Sequence, residues 1–383
     1  LNRMKFIHTS DWHLGRQFHN VSLLDDQRAV LQQIEHYLTD HNVDALVIAG
    51  DIYDRSVPPT SAIEVLDDFL TKVIQDIGVP VIMISGNHDG AKRLGFGARQ
   101  LDRSGLHIIS GLEQMTTPIV ISSTDKPDVY FYGMPYSDPE HVRHFYNVTV
   151  SNHDDAHRIM AQQLSEVMDS SKQNVLISHC FIDGAEPSES ERTLSIGGAD
   201  RVSFSHFSHF NYVALGHLHQ AQKRGAEHIR YSGSIMKYSF SEQYHNKSMT
   251  LVELDGDGKV TTSMIPLTAP HNMRILEGTL SELLEAGQHD EHNEDYLLVR
   301  LMDKHAILDP MAKLREVYPN VLHLEKPGML VGVDREMTQA RLAHSELDMF
   351  KDFFHDVQGE VLTVEQESMV ADIVGALSKG NKE

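Results

Sequence analysis

The sequence predicts an α/β protein with two packed sheets and covering helices, followed by a small separate α/β unit and a C-terminal helical hairpin. Three observations lead there. Apolar runs of strand length alternate with amphipathic stretches of helix length over the first hundred residues, and the middle of the chain turns strand-rich. Near the end, two stretches share one helical spacing of apolar residues.

Taken in order, residues 5–10 read as a short apolar strand and 23–40 as a helix with Leu24, Leu31, Ile34 and Leu38 along one side. Residues 45–49 read as a buried strand. After Pro58-Pro59, Ser61 and Glu64 have capping-box spacing and open a helix running to Ile77; 79–85 is the next strand. Strands separated by helices of this length imply right-handed crossovers and a parallel sheet. Further strands are expected at 106–110, 119–122, 129–133, 175–178, 212–215, 229–232 and 249–254, with a helix at 156–168. Asp255-Gly256-Asp257-Gly258 is a hairpin turn into 260–266, and this second group predicts a sheet packed on the first.

Around Ala269-Pro270 the pattern restarts, with strands at 274–277, 296–301, 321–324 and 329–333, a helix between the first two and another at 310–317. In the tail, Met349, Phe350, Phe353, Phe354 and Val357 have the same offsets as Met369, Val370, Ile373, Val374 and Leu377. Gly359 separates them, and Thr363 with Gln366 is placed to cap the second helix. The expected domains are therefore 1–268, 271–334 and 340–383.

Composition narrows the function. With 40% hydrophobic and 23% charged residues, the 383-residue chain is neither disordered, collagen-like nor coiled-coil. Its longest apolar runs fall far short of the ~20 residues a membrane helix needs. The start, Leu-Asn-Arg-Met, leads into a strand with no apolar signal region, so the expected compartment is the cytoplasm and the expected native start is Met4. One cysteine, Cys180, excludes an intramolecular disulfide and a cysteine-built zinc site. A net charge of −22 has the wrong sign for a protein that coats nucleic acid, so any such contact is local or shared with a partner. With 25 histidines, a lone His carries almost no information.

What does carry information is position. Five motifs stand at the ends of apolar strands: Asp11-Trp-His13, Gly50-Asp51-Ile-Tyr-Asp54, Gly86-Asn87-His88-Asp89, Ser178-His179 and Gly216-His217-Leu-His219. The carboxyl ends of strands in an open α/β sheet collect ligands, so all five can meet in one crevice. Two carboxylates, one carboxamide oxygen and four imidazoles suit a pair of divalent cations, with Asp51 bridging them, and such a pair suits phosphoester hydrolysis. Each motif alone is weak, since Asp-x-His also occurs in surface loops and Gly-Asn-His-Asp in plain turns. The ordered set is the signal.

These residues resemble the calcineurin-like metallophosphoesterases, and His8 to Gly15, Ala49 to Asp54, Ala214 to His219 and Tyr231 to Ser234 resemble its DNA-repair nuclease branch. The resemblance implies an α/β/β/α sandwich with a small α/β capping domain and a helical tail. It implies that Asp11, His13, Asp51 and His219 hold one ion, and Asp51, Asn87, His179 and His217 the other. His88 would protonate the leaving oxygen or stabilise its charge, and Asp54, where some relatives carry His, would orient His88 through its carboxylate. The implied ions are two manganese, the substrate DNA, cut endo- and exonucleolytically. The implied partners are an ATPase of the structural-maintenance type on the tail and a second copy of the chain on the helix of residues 62–77.

Alternatives stay open on residues alone. Lys92, Arg93, Arg99 and Arg103 oppose only Asp102 between Gly90 and Gly105, which is either a phosphate-contacting segment or a solvated helix face. The tail helices either bind a partner or pack on their own chain. The same metal centre would also serve a stand-alone phosphatase or phosphodiesterase on a small molecule or protein, although such a substrate needs neither the appended unit nor the tail.

Overall fold

The runs Ala45–Ile48 and Val81–Ile84 are buried along their whole length, as strands covered on both faces are. In the computed structural model, which describes residues 3–191, 194, 200–327 and 346–380, they are central strands of a six-stranded sheet. Its order is Val260–Pro266, Ser248–Leu254, Met4–Thr9, Ala45–Ile48, Val81–Ile84, Leu106–Ile109. The last four run parallel, as the helical crossovers require. A second six-stranded sheet has the order Gln222–Arg224, Ala226–Tyr231, Tyr212–Gly216, Gln173–His179, Val129–Met134, Ile119–Ile121, with its four central strands parallel.

The two sheets pack face to face. Phe6, Val47, Ile82 and Ile84 of the first share one buried core with Phe131, Val175, Ile177 and Tyr212 of the second, and the Phe6 and Phe131 rings meet edge-on at 5.1 Å. His8 joins the sheets by polar contact. Its Nε2 donates to the Leu215 carbonyl at 3.1 Å and its Nδ1 meets the Tyr212 hydroxyl at 2.9 Å, while burial lowers its pKa to about 3 and keeps it neutral. The outer face of the second sheet is covered by the helix His153–Val167, whose Ala156, Met160 and Leu164 join a further core.

Two local expectations change. The second long crossover helix begins at Thr60, and no Ser61–Glu64 box forms, because extended Pro59 is the cap and its carbonyl receives the N–H groups of Ala62 and Ile63. That helix ends at Thr71 and widens into a π-helical stretch, Lys72–Ile77, closed by Gly78 at φ 82°. A helix absent from the sequence reading, Pro139–Tyr146, starts with proline in its first turn behind Asp138.

The chain divides into two units at Asn272/Met273. The second contains a parallel sheet of Met273–Gly278, Tyr296–Leu301 and Val321–Glu325. Between the first two strands lies Leu280–Gly287, capped by a reciprocal Thr279–Glu282 box; Pro310–Arg315 follows the second. The tail forms the helices Glu346–Gln358 and Val364–Gly380. Thr363 and Gln366 cap the second of these as the sequence implies, at 2.9 and 3.3 Å. Phe353 is 61% exposed, Met369 65% and Ile373 53%. The strand expected at 329–333 and the tail residues 340–345 lie outside the described residues, as do the side chains of Met349, Val374 and Leu377. Among the described residues, no helix is long and apolar enough to cross a membrane.

Candidate metal centre

The loops that leave the strands Met4–Thr9 and Ala45–Ile48 continue the parallel ladder past the end of the sheet. Asp11 N–H donates to the Gly50 carbonyl at 3.1 Å, His13 to Asp51 at 3.0 Å and Leu14 to Ile52 at 2.9 Å. This pairing turns Asp11, His13 and Asp51 to one side at the cost of left-handed backbone, with φ of 53°, 46° and 52°; His217 stands at 108°. Such residues cost about 1–3 kcal/mol each and persist where the surroundings fix them, typically at functional sites. Two glycines let the loops close. A Cβ on Gly86 would overlap the Asp51 carboxylate, and one on Gly216 would overlap the Ala49 carbonyl.

All seven donor side chains expected from the sequence meet here, and Asp11, His13, Asp51, His179, His217 and His219 are buried. Donor atoms of Asp11, His13 and His219 lie within 4.8 Å of one another, as do those of Asp11, Asp51 and His179, and of His13, Asp51 and His88. Asp51 Oδ2 faces both sides, 3.6 Å from His13 Nε2 and 3.4 Å from His179 Nε2. Asn87 Oδ1 lies 3.0 Å from His179 Nε2 and 3.2 Å from His217 Nδ1. The far nitrogen of His179 donates to the Ala49 carbonyl at 2.8 Å, so its Nε2 turns inward toward the oxygens of Asn87 and Asp51. His13 Nε2 and His219 Nε2 stand 3.1 Å apart. Inward-facing lone pairs at these distances fit a cation between them, and mixed carboxylate, carboxamide and imidazole donors suit a borderline divalent ion.

Electrostatics agree. Burial pushes His13 and His217 well below the usual imidazole range, into the neutral form that can donate a lone pair to a metal. Burial raises Asp11 to about 6. Burial would also raise Asp51, but the charge of His179 outweighs it and holds the carboxyl well below its ordinary value. In return, against its own burial, His179 is raised to about 9 by Asp51.

The profile of the calcineurin-like phosphoesterases fits residues 4–221. Over 383 residues the chain is 33% identical to the SbcD subunit of nuclease SbcCD from Staphylococcus saprophyticus, spanning 99% of this chain and 100% of that protein. The chain belongs to the SbcD family of calcineurin-like phosphoesterases. It is a metal-dependent phosphodiester hydrolase, and its His/Asp cluster fits a divalent metal site. The corresponding SbcD protein of Staphylococcus epidermidis is 34% identical over 322 residues, covering 84% of this chain and 85% of that protein. Residues 269–358 fit a second profile, described as a type 5 capsule protein repressor C-terminal domain. Two solved structures are also similar, each covering 69% of this chain and 99% of its own. They are TT1561 of Thermus thermophilus, at 11% identity and TM-score 0.40, and a dimetal phosphatase from Danio rerio, at 13% and 0.41.

Around this phosphoesterase centre, one expected role changes. Asp54 holds His88 through its backbone carbonyl, which accepts from His88 Nδ1 at 2.8 Å. The Asp54 carboxylate is turned away by Arg16 at 3.1 Å and lies 3.6 Å from His13 Nδ1. Sequence reasoning also passed over several supports. Asp89 accepts N–H bonds from Ile52, Tyr53 and Gly86 at 3.1, 2.9 and 2.9 Å, stapling the Asp51 and Asn87 loops together; its place in Gly-Asn-His-Asp was the available signal. Gln27 holds the carbonyls of Trp12 and His13 at 2.9 and 2.8 Å. Ser190, Glu242 and Lys247 gather behind His219, and nothing in their spacing announces it. Lys92, Arg93, Arg99 and Arg103 are all exposed, on or beside the short helices Ala91–Leu94 and Ala98–Leu101.

Proposed function

We propose that the chain is the nuclease component of a DNA-processing complex, hydrolysing DNA phosphodiesters endo- and exonucleolytically with two divalent ions, manganese foremost. The observation that carries this reading is the convergence of seven donors from five strand ends, on a chain alike over its length to the SbcD subunit of nuclease SbcCD. Asp11, His13, Asp51 and His219 would hold one ion, and Asp51, Asn87, His179 and His217 the other.

Bound divalent ions supply Lewis acidity and charge neutralisation at a phosphodiester. Asp51 supports both sets of donors: its Oδ1 is fixed by the His88 N–H at 2.8 Å, leaving Oδ2 between His13 and His179. His88, half-buried with Nδ1 bonded to the Asp54 carbonyl, keeps Nε2 free to carry a proton to the leaving oxygen. Lys92, Arg93, Arg99 and Arg103 would contact backbone phosphates, which adds affinity without sequence preference. The test is manganese-dependent cleavage of single-stranded circular DNA, set beside a small phosphodiester and a phosphomonoester. Both diesters should be cut; hydrolysis of the monoester alone would refute the reading.

An SbcC-type ATPase is the proposed partner of the tail. The segment from Ala340 carries 9 acids against 4 bases, which repels DNA, while its exposed Phe353, Met369 and Ile373 offer an apolar stripe to a helix of a protein. Deleting residues 347–383 should leave single-strand cleavage largely intact and abolish co-purification with the ATPase. Loss of basal cleavage, or retained binding by the truncated chain, would contradict it.

A second copy of the chain is the proposed occupant of the open cavity of about 640 Å³ lined by Val57, Ile63, Leu70, Ile74, Phe96 and Leu101. Phe96 is 86% exposed there, and an open apolar surface of this kind marks an interaction site. Phe96→Glu should shift the chain from dimer to monomer in sedimentation; an unchanged mass would remove this interface. The proposed compartment is the cytoplasm, beside the nucleoid where DNA is met.

A further inference from the structure

We propose that Glu242, acting through Ser190, is a positioning residue for His219, fixing which ring nitrogen of that histidine faces the metal centre. The inference rests on the reading of His219 as a ligand. His219 Nδ1 donates to Ser190 Oγ at 2.6 Å, and the Ser190 hydroxyl in turn donates to Glu242 Oε1. Glu242 Oε1 itself lies 3.4 Å from Nδ1. A proton held on Nδ1 by this relay leaves the lone pair on Nε2, the nitrogen that points to His13.

The relay is anchored more firmly than a surface contact would be. Glu242 is fully buried, and its other oxygen is fixed by Lys247 Nζ at 2.5 Å. The same ammonium donates to the His219 carbonyl and to Ser234 Oγ, both at 2.8 Å. Glu191 takes the His219 N–H at 2.8 Å. Backbone and ring of His219 are thus held by one polar cluster. Among the described residues the two other imidazoles with a far Nδ1 are held differently: His179 Nδ1 uses a backbone carbonyl, and His13 Nδ1 makes no hydrogen bond, with the Asp54 carboxylate 3.6 Å away. Carboxylates behind a ligating histidine fix its tautomer and raise its basicity, and losing one typically costs ~10–100-fold in metal affinity.

A merely structural role for the buried Glu242–Lys247 pair makes a different prediction. Removing one partner of a buried ion pair destabilises strongly, whereas replacing both with apolar residues restores stability. The experiment therefore measures Mn2+ affinity and melting temperature together, for Ser190→Ala, Ser190→Thr and the double variant Glu242→Met/Lys247→Met. The double variant should melt near the wild-type temperature yet bind its weaker Mn2+ ~10–100-fold less tightly. Ser190→Ala should lose affinity as well, because Glu242 Oε1 at 3.4 Å from Nδ1 does not replace the hydroxyl link, and Ser190→Thr should recover it. Wild-type affinity in the folded double variant would overturn the proposal. If that variant fails to fold, wild-type affinity in Ser190→Ala would do so. His219→Ala separates the two readings: unchanged Mn2+ binding there removes His219 as a ligand, whereas loss there with none in the relay variants removes only the positioning role.

Discussion

Replacing Asp51 by Ala should abolish DNA cleavage, by ~10³-fold or more, and lower the Mn2+ content of the reloaded protein. Loss of a single electrostatic stabiliser at a reacting centre already costs ~10²–10³-fold, and Asp51 Oδ2 faces His13 and His179 at once. Backbone effects complicate the alanine variant, because residue 51 stands at φ 52°. Asn adopts the left-handed region more readily than Ala, so Asp51→Asn is the companion variant. It should melt near the wild-type temperature and still lose cleavage. Full cleavage by a folded Asp51→Asn protein would show that no bridging carboxylate is needed.

His88→Ala should keep both ions and lose ~10²–10⁴-fold in cleavage rate, the usual contribution of one general acid. The ring is placed for this role, since Asn87 beside it turns its oxygen toward His179 and His217 while His88 is tied to the Asp54 carbonyl. Single-turnover cleavage and elemental analysis of the same preparation check both halves. A variant that loses metal in proportion to activity would make His88 a ligand; one with full activity would remove it from the chemistry.

The site was legible because a parallel sheet leaves little freedom in where its strands end. Runs such as Ala45–Ile48 and Val81–Ile84 can be satisfied only as buried central strands, and once they lie side by side, Asp51 and Asn87 share one edge. What stayed hidden was set by contacts distant in sequence. Ser190 and Glu242 reach His219 across 29 and 23 residues, so no local pattern links them. Asp54 was misread because its residue type suggested a carboxylate contact, while the fold uses its carbonyl on His88 and gives the carboxylate to Arg16. One helix cap failed for a local reason: Ser61 and Glu64 have capping-box spacing, but Pro59 had already set the first turn.

The central claim is that seven side chains form one centre for two ions. Its most direct test is to strip the protein of metal, titrate it with Mn2+ and follow bound ion per chain together with the electron paramagnetic resonance of the bound fraction. Saturation at two ions per chain, with the spin-coupled signal of neighbours sharing a carboxylate, is the predicted result. Saturation at one ion, or two with only the signal of isolated ions, would contradict it.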